Sequence, residues 1–214
     1  MPQNRLASYP ELIKAMSCLD KKDADLASAR KTYGNPPDRF KPATFPSLVR
    51  IILGQQISRQ VAIVLWQRLQ KNGWQEAGAL AELDYDDLQS VGLSRRKAEY
   101  VVDLARAETN GGLNLRQLNT QPAEKFSTKM LGFRGIGGWT VSNYRLFCLA
   151  DFDAWPGNDL ALMEAVKRLK ILDRRPSHTE MDEFALQWQP YRGAAALLLW
   201  HLHSCLISDS ATKG

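Results

Sequence analysis

The sequence is poor in cysteine, and its three cysteines, Cys18, Cys148 and Cys205, lie far apart along the chain. An odd number at this spacing indicates neither a disulfide framework nor the closely spaced ligands of a structural zinc site. We therefore expect a protein without disulfides that works in a reducing intracellular compartment.

Long apolar runs, low-complexity segments and blocks of like charge are also missing. The longest apolar run, 194–200, is far shorter than the about 20 residues that cross a bilayer, and nothing at the N-terminus has the pattern of a secretory signal. The 44% hydrophobic and 24% charged residues are ordinary for a soluble globular protein. We expect no membrane partner and a location in the cytoplasm or nucleoid, or in the nucleus of a eukaryote.

Alternation typical of strands is almost absent, whereas apolar residues recur with helical spacing along most of the chain. Thr44, Ser58 and Ser94 are predicted N-caps, and the first two begin helices with apolar faces. The sequence therefore predicts an all-α fold. Further helices are predicted at 12–19, 23–33, 77–83, 85–90, 94 to about 108, 122–131, 138–150, 160–170, 179–188 and 191–207.

Basic residues outnumber acidic ones, 28 to 23, which gives a net charge of +5 and a pI near 9.2. Such a balance permits a polyanionic partner without identifying one. A more specific indication is the segment Phe-Arg-Gly-Ile-Gly-Gly-Trp-Thr at 133–140. Gly135 and Gly137 allow a tight turn whose N–H groups point at one oxyanion, and the helix from Gly138 adds its positive end. A helix–helix turn that needs glycine only for close packing fits the same residues equally well.

One carboxylate, Asp159, follows Pro-Gly-Asn twenty positions after Trp139 and precedes a helical run. Its structural role would be to cap that helix. An ionised acid can also oppose the positive charge that develops on a sugar as an N-glycosidic bond breaks, and it can orient or deprotonate water. The glycine turn upstream favours this chemical role.

Four ordered segments carry a family resemblance over about residues 46–200. The segment 131–140, the Gly/Pro-containing loop and Asp159 resemble the signature of helix-hairpin-helix DNA glycosylases. The stretches Ile-Leu-Gly-Gln-Gln-Ile-Ser at 52–58, Gly-Leu-Ser-Arg-Arg-Lys-Ala at 92–98 and Trp-Pro-Gly-Asn-Asp at 155–159 are similar to the 3-methyladenine DNA glycosylase II branch. This resemblance implies one glycosylase unit over 1–214, a two-lobed helical bundle with an active-site cleft between its lobes. One lobe would hold the helices of 1–43 and 110–214, and the other those of 44–109.

The resemblance also implies a set of site residues. Asp159 would be the catalytic carboxylate. Trp139 and Trp200 would line the base pocket, although a tryptophan can equally be a large residue of the hydrophobic core. Tyr144 is a weaker pocket candidate, because the family usually has an aromatic residue one position earlier, where this chain has Asn143. The implied DNA contacts are Gly135, Ile136, Gly137, Gly138 and Thr140 in the hairpin and the wedge residues Gln55, Gln56 and Ile57, although a helix corner capped by Ser58 fits the wedge residues equally well. The basic run Arg95, Arg96 and Lys97 follows Ser94 at the start of a helix, an arrangement that can hold DNA phosphates but is also common on a solvated face.

The implied reaction is hydrolytic excision of an alkylated purine, such as 3-methyladenine or 7-methylguanine, from double-stranded DNA by a monomer. Such a base is already cationic and leaves without a dedicated general acid. Bifunctional relatives have a lysine nucleophile where this chain has Trp139, which predicts no strand cleavage. Three scattered cysteines cannot provide the four thiolates of an iron–sulfur cluster. The resemblance implies no catalytic metal, and leaves room for a monovalent cation between the hairpin carbonyls and a phosphate.

Two other functions remain open at this stage. One is a glycosylase for deaminated or mismatched bases, such as uracil or hypoxanthine, whose neutral leaving group needs specific hydrogen bonds to base edges. The other is a non-catalytic helix-hairpin-helix DNA-binding protein that uses the hairpin as a clamp.

Overall fold

The structure of the protein is a computed structural model that describes residues 9–211. Within this range the chain is helical and contains no strand, as the sequence predicts, and no helix is both long and apolar enough to cross a membrane. The helices of the described range are α1 Tyr9–Leu19, α2 Ala24–Tyr33, α3 Phe45–Leu53, α4 Arg59–Lys71, α5 Ala77–Ala81, α6 Tyr85–Ser90, α7 Arg95–Thr109, α8 Leu115–Leu118, α9 Ala123–Leu131, α10 Gly138–Leu149, α11 Leu160–Leu169, α12 His178–Leu186 and α13 Arg192–Ala211.

The predicted N-caps account for where several helices begin. The Ser58 hydroxyl accepts from the Val61 N–H at 3.3 Å, and the Ser94 hydroxyl accepts from the Lys97 N–H at 3.4 Å. Thr44 precedes α3, but its side chain makes no capping bond, and its hydroxyl donates to Ser47 instead. The short helix α8 is not among the predicted helices, because a single turn leaves no periodic pattern to detect.

Two compact units divide the chain. Unit 1 is Lys41–Tyr144, in which α7 packs against α3, α5 and α6. One face of α7 is fully buried, since Ala98, Val101, Val102 and Ala105 are each 0% exposed. Further core residues of unit 1 are Leu48, Val49, Ile52, Leu53, Leu69, Leu80, Leu88, Phe126 and Met130.

Unit 2 consists, among the described residues, of 9–40 and 145–211. Its central element is α13, which packs against α1, α2 and α11. A buried carboxylate, Asp23, ties the two chain segments together: it caps α2 and accepts hydrogen bonds from Lys170 Nζ and Trp188 Nε1, each at 2.8 Å. Burial by itself raises the pKa of Asp23, but these bonds and the Leu26 N–H outweigh it and hold the pKa below its ordinary value.

The division between the units falls at Tyr144, whereas the sequence placed it near residue 110. The residues between these points pack with unit 1 for two reasons. The Phe126 ring stacks on the Tyr144 ring, with centroids 5.5 Å apart, and Gly135 lies directly against the ring of Tyr100 on α7. Unit 2 brings the N-terminal helices α1 and α2 together with the C-terminal helices α11 to α13.

Candidate active site

Asp159 stands at the N-terminus of α11 in unit 2 and is partly exposed. One carboxylate oxygen, Oδ1, accepts from the backbone N–H groups of Ala161 at 2.9 Å and Leu162 at 3.1 Å. The same oxygen accepts from the indole Nε1 of Trp200 at 3.0 Å. Three donors on one oxygen fix the orientation of the carboxylate. The capping role predicted for Asp159 is therefore real, and it is compatible with a chemical role.

Trp200 lies on α13 and stacks on Phe147, with ring centroids 5.6 Å apart and planes 22° from parallel. The sequence predicted an aromatic surface here, but it did not predict the bond to Asp159, because 41 residues separate the two. Trp200 therefore combines an aromatic ring, held in place by packing, with a hydrogen bond that orients the acid.

The loop before Asp159 is built closely around Gly157. A Cβ at this position would lie 2.4 Å from Trp155 Nε1 and 2.9 Å from Asp182 Oδ1. These two side chains bond to each other at 3.0 Å and block any larger residue. The close approach explains why glycine precedes the acid by two positions and shows that the loop has one fixed path to Asp159.

The glycine hairpin lies in unit 1, between α9 and α10. Gly135 has φ +83°, and a Cβ there would lie 2.2 Å from the Tyr100 ring, so both conformation and space require glycine. A Cβ on Gly137 or Gly138 would instead meet nothing within 4 Å. Both glycines are exposed at the start of α10, where the first N–H groups of a helix have no intrahelical partner. This part of the hairpin is suited to binding an anion such as a phosphate.

Two residues of the predicted hairpin contacts are buried. Ile136 is 5% exposed, and its N–H already donates to the Phe133 carbonyl at 3.1 Å. Thr140 is 1% exposed, and its hydroxyl accepts from Gln55 Nε2 at 2.8 Å. Both side chains support the hairpin from inside unit 1. The exposed surface of Gly137 and Gly138 is accessible to a DNA strand.

The wedge segment is the turn between α3 and α4, residues 54–58. Gln55 faces the hairpin, where its Nε2 also donates to the Gly135 carbonyl at 2.9 Å, so it is not a free plug. Ile57 is half-buried. Gln56 is exposed and has φ +55°, in the left-handed region. Of the three predicted wedge residues, Gln56 is therefore the one whose side chain is presented to solvent.

The predicted phosphate contacts at the start of α7 do not act as one basic patch. Arg95 is paired with Asp86 at 3.0 Å and Glu99 at 3.2 Å, so its charge is largely neutralised. Arg96 is exposed and has no ion pair with any residue in the part of the chain that the structure describes.

Lys97, another of the predicted phosphate contacts, is partly buried and hydrogen-bonded within unit 1. Its ammonium donates to the carbonyls of Leu53 and Gln55, each at 2.7 Å, and burial lowers its pKa. The Ser94 hydroxyl caps α7 and is likewise engaged. Arg96 is left as the basic side chain of this segment that is best placed for a phosphate.

The two remaining pocket candidates differ. Tyr144 is 0% exposed and stacked on Phe126, so it belongs to the core of unit 1. Asn143, which replaces the family's usual aromatic residue, is also buried and donates to the Trp139 carbonyl at 2.8 Å. Trp139 is half-buried, and its pocket role stays a prediction.

Comparisons with known proteins identify the family of this chain. A family model described as HhH-GPD superfamily base excision DNA repair protein matches residues 49–190. YfjP of Bacillus subtilis is 34% identical over 82% of this chain, and a protein of the same organism named DNA-3-methyladenine glycosylase is 28% identical over 93%. The chain spans 64% and 68% of the lengths of these two relatives.

A solved structure shows the same fold. The 3-methyladenine DNA glycosylase Mag1 of Schizosaccharomyces pombe, in complex with abasic DNA, superposes with a TM-score of 0.80 at 24% identity. The match covers 87% of this chain and 95% of that one.

Proposed function

The chain belongs to the HhH-GPD superfamily of base excision DNA repair proteins, and on that premise we propose that it is a monofunctional DNA glycosylase that hydrolytically removes alkylated purines from duplex DNA. The observation that carries the proposal is the fixed carboxylate of Asp159, with Trp200 on its Oδ1. Unit 1 would hold the DNA backbone, and unit 2 would act on the sugar and the base.

Asp159 would act on the sugar as the bond to the base breaks. The deoxyribose then gains oxocarbenium character, and a carboxylate that is already oriented stabilises it without reorganising. At ~4 Å and an effective dielectric constant of ~20, one such charge pair is worth roughly 4 kcal/mol. That energy corresponds to roughly a thousandfold in rate. The same carboxylate can orient or deprotonate the attacking water.

The substrate class follows from the leaving group and from the relatives. An alkylated purine such as 3-methyladenine or 7-methylguanine is cationic, is drawn to aromatic faces, and leaves without protonation. The Trp200 ring supplies such a face, and curated relatives carry the name DNA-3-methyladenine glycosylase. A neutral deaminated base would instead need hydrogen bonds to its edges.

Strand cleavage is not part of the proposed reaction. A glycosylase that also cleaves needs an amine to form a Schiff base with the sugar, and the position at which bifunctional members of the superfamily carry a lysine is Trp139 here. The expected product is an intact strand with an abasic site, which breaks only after treatment with hot alkali.

DNA contact would come from elements of unit 1. The open amides at Gly137 and Gly138 would bind one phosphate, Arg96 another, and Gln56 would fill the gap that an everted nucleotide leaves. We expect the protein to act as a monomer.

A monovalent cation at the hairpin also fits the residues. The carbonyls of Phe133 and Gly135 each accept one hydrogen bond, from the Ile136 N–H and from Gln55 Nε2. A carbonyl oxygen has a second lone pair, so both could still bind a cation that helps to hold a phosphate. In the part of the chain that the structure describes, no group of three or more His, Cys, Asp or Glu side chains could hold a metal ion. We propose no catalytic metal and no iron–sulfur cluster.

The direct test is to incubate the protein with duplexes that each contain one lesion and to identify the released base. Release of 7-methylguanine and 3-methyladenine, with uracil and hypoxanthine retained, is expected. Release of uracil or hypoxanthine instead would assign the protein to the deaminated-base glycosylases. Tight duplex binding with no released base would identify a non-catalytic clamp.

A further inference from the structure

A continuous chain of hydrogen bonds crosses unit 1 from α7 to the hairpin. Lys97 Nζ donates to the carbonyls of Leu53 and Gln55, each at 2.7 Å. The Gln55 side chain then donates to the Gly135 carbonyl at 2.9 Å and to the Thr140 hydroxyl at 2.8 Å. The turn at 54–58 is thus bonded on one side to α7 and on the other to the glycine hairpin.

The position of Lys97 has a clear electrostatic reason. Helix α3 ends at Leu53, and the last carbonyls of a helix lack intrahelical donors and form the negative end of its dipole. An ammonium group at that end satisfies these acceptors and is attracted by the dipole. Lys97 therefore closes the C-terminus of α3 from a neighbouring helix and is not available to DNA.

The turn that Lys97 holds contains a strained residue. Gln56 has φ +55°, a left-handed conformation that is unfavourable for a non-glycine residue. Such a residue keeps its conformation only where its surroundings determine it. The Gln55 carbonyl accepts from Lys97, and the Gln55 side chain donates to the Gly135 carbonyl. These bonds constrain the backbone directly next to Gln56, whose own side chain is exposed.

We propose that Lys97 is a positioning residue for base eversion. By fixing the carbonyls of Leu53 and Gln55 it holds the turn in the shape that presents Gln56, so that no binding energy is spent on ordering the plug when a nucleotide leaves the stack. The inference rests on the proposed function and deepens it by assigning a role to a residue that does not touch DNA.

The test compares Lys97→Met with Lys71→Met. Both changes replace an ammonium with an apolar side chain of similar length, but Lys71 lies at the exposed end of α4, outside the bond chain. Single-turnover release of 7-methylguanine at saturating protein is measured with the lesion in a paired duplex and in an unpaired bulge, where eversion costs little. Eversion itself is followed by the fluorescence of 2-aminopurine placed beside the lesion.

Lys97→Met should release base about tenfold more slowly from the paired duplex, with a lower fluorescence rise, and close to the wild-type rate from the bulge. Lys97→Arg, which can still donate to two carbonyls, should recover most of the loss, and Lys71→Met should match wild type. If Lys97→Met does not fold, Gln55→Ala cuts the same chain at its other end and should show the same preference for the bulge.

An equal loss on paired and bulged DNA, or no loss beyond that of Lys71→Met, would overturn the role of Lys97. Failure of the proposed function looks different. Wild-type protein would then release no base, while the fluorescence rise of the variants would still report whether Lys97 supports eversion. If the wild-type protein neither everts the nucleotide nor releases the base, both proposals are wrong.

Discussion

Replacing Trp200 with phenylalanine should slow base release by about tenfold. The change keeps an aromatic ring against Phe147 but deletes the indole N–H that donates to Asp159 Oδ1 at 3.0 Å. A hydrogen bond to a charged group is worth about 1.5–3 kcal/mol. The two backbone donors of α11 remain on the same oxygen, so we expect the lower end of that range, about 1.5 kcal/mol, which corresponds to roughly tenfold in rate.

The assay is single-turnover release of 7-methylguanine, with binding to abasic duplex measured in parallel. The rate constant should fall while abasic binding changes little, because the lost bond orients the acid and does not hold the backbone. Trp188→Phe is the matched control, since it also removes an indole–aspartate bond in the same unit, the 2.8 Å bond to Asp23. Equal rate losses in the two variants would show that base release slows because unit 2 is loosened in general. The bond from Trp200 to Asp159 would then have no specific part in the reaction.

Three further predictions concern stability and DNA binding. Gly135→Ala should lower the unfolding free energy measured in urea by at least about 2 kcal/mol, because the new Cβ would overlap a tyrosine ring and the residue has positive φ. Gly137→Ala is the control: its Cβ would meet no atom within 4 Å, so the unfolding free energy should change by no more than about 0.5 kcal/mol. Asp23→Asn should cost about 3 kcal/mol at pH 7. Folding lowers the pKa of Asp23, so the carboxylate contributes fully to the unfolding free energy above its ordinary pKa near 4. This contribution is lost as pH falls through the folded pKa, and the unfolding free energy should therefore change less with acid pH in the variant than in the wild type. Arg96→Ala should reduce the salt slope of duplex binding by about one, and Arg95→Ala, already paired, by much less.

Local chemistry makes most of the helices predictable. Capping serines and aspartates, glycines that end helices and apolar positions with helical spacing depend on residues only a few positions apart. The amino-acid sequence alone therefore identifies Ser58, Ser94 and Asp159 as helix N-caps, and their capping bonds confirm it. The resemblance adds the hairpin and the acid, which lie in short segments with unusual residue combinations.

The remaining features depend on contacts between residues that are distant in the sequence. Gln55 reaches the hairpin across 80 positions, and Lys97 reaches Gln55 across 42, so nothing local distinguishes them from solvent-exposed residues. A basic run at a helix start predicted phosphate contact for Lys97, but burial of its ammonium against helix carbonyls decides its role. The burial of Tyr144 has the same kind of cause, because its packing on Phe126 joins residues that are distant in the sequence.

The activity of the Asp159→Asn variant shows whether the charge of this carboxylate drives base release. Asparagine can still cap α11 and accept from the indole of Trp200, so the substitution removes the charge and little else. We expect wild-type affinity for abasic duplex and a loss of roughly a thousandfold in the release of 3-methyladenine. Release at the wild-type rate would contradict it.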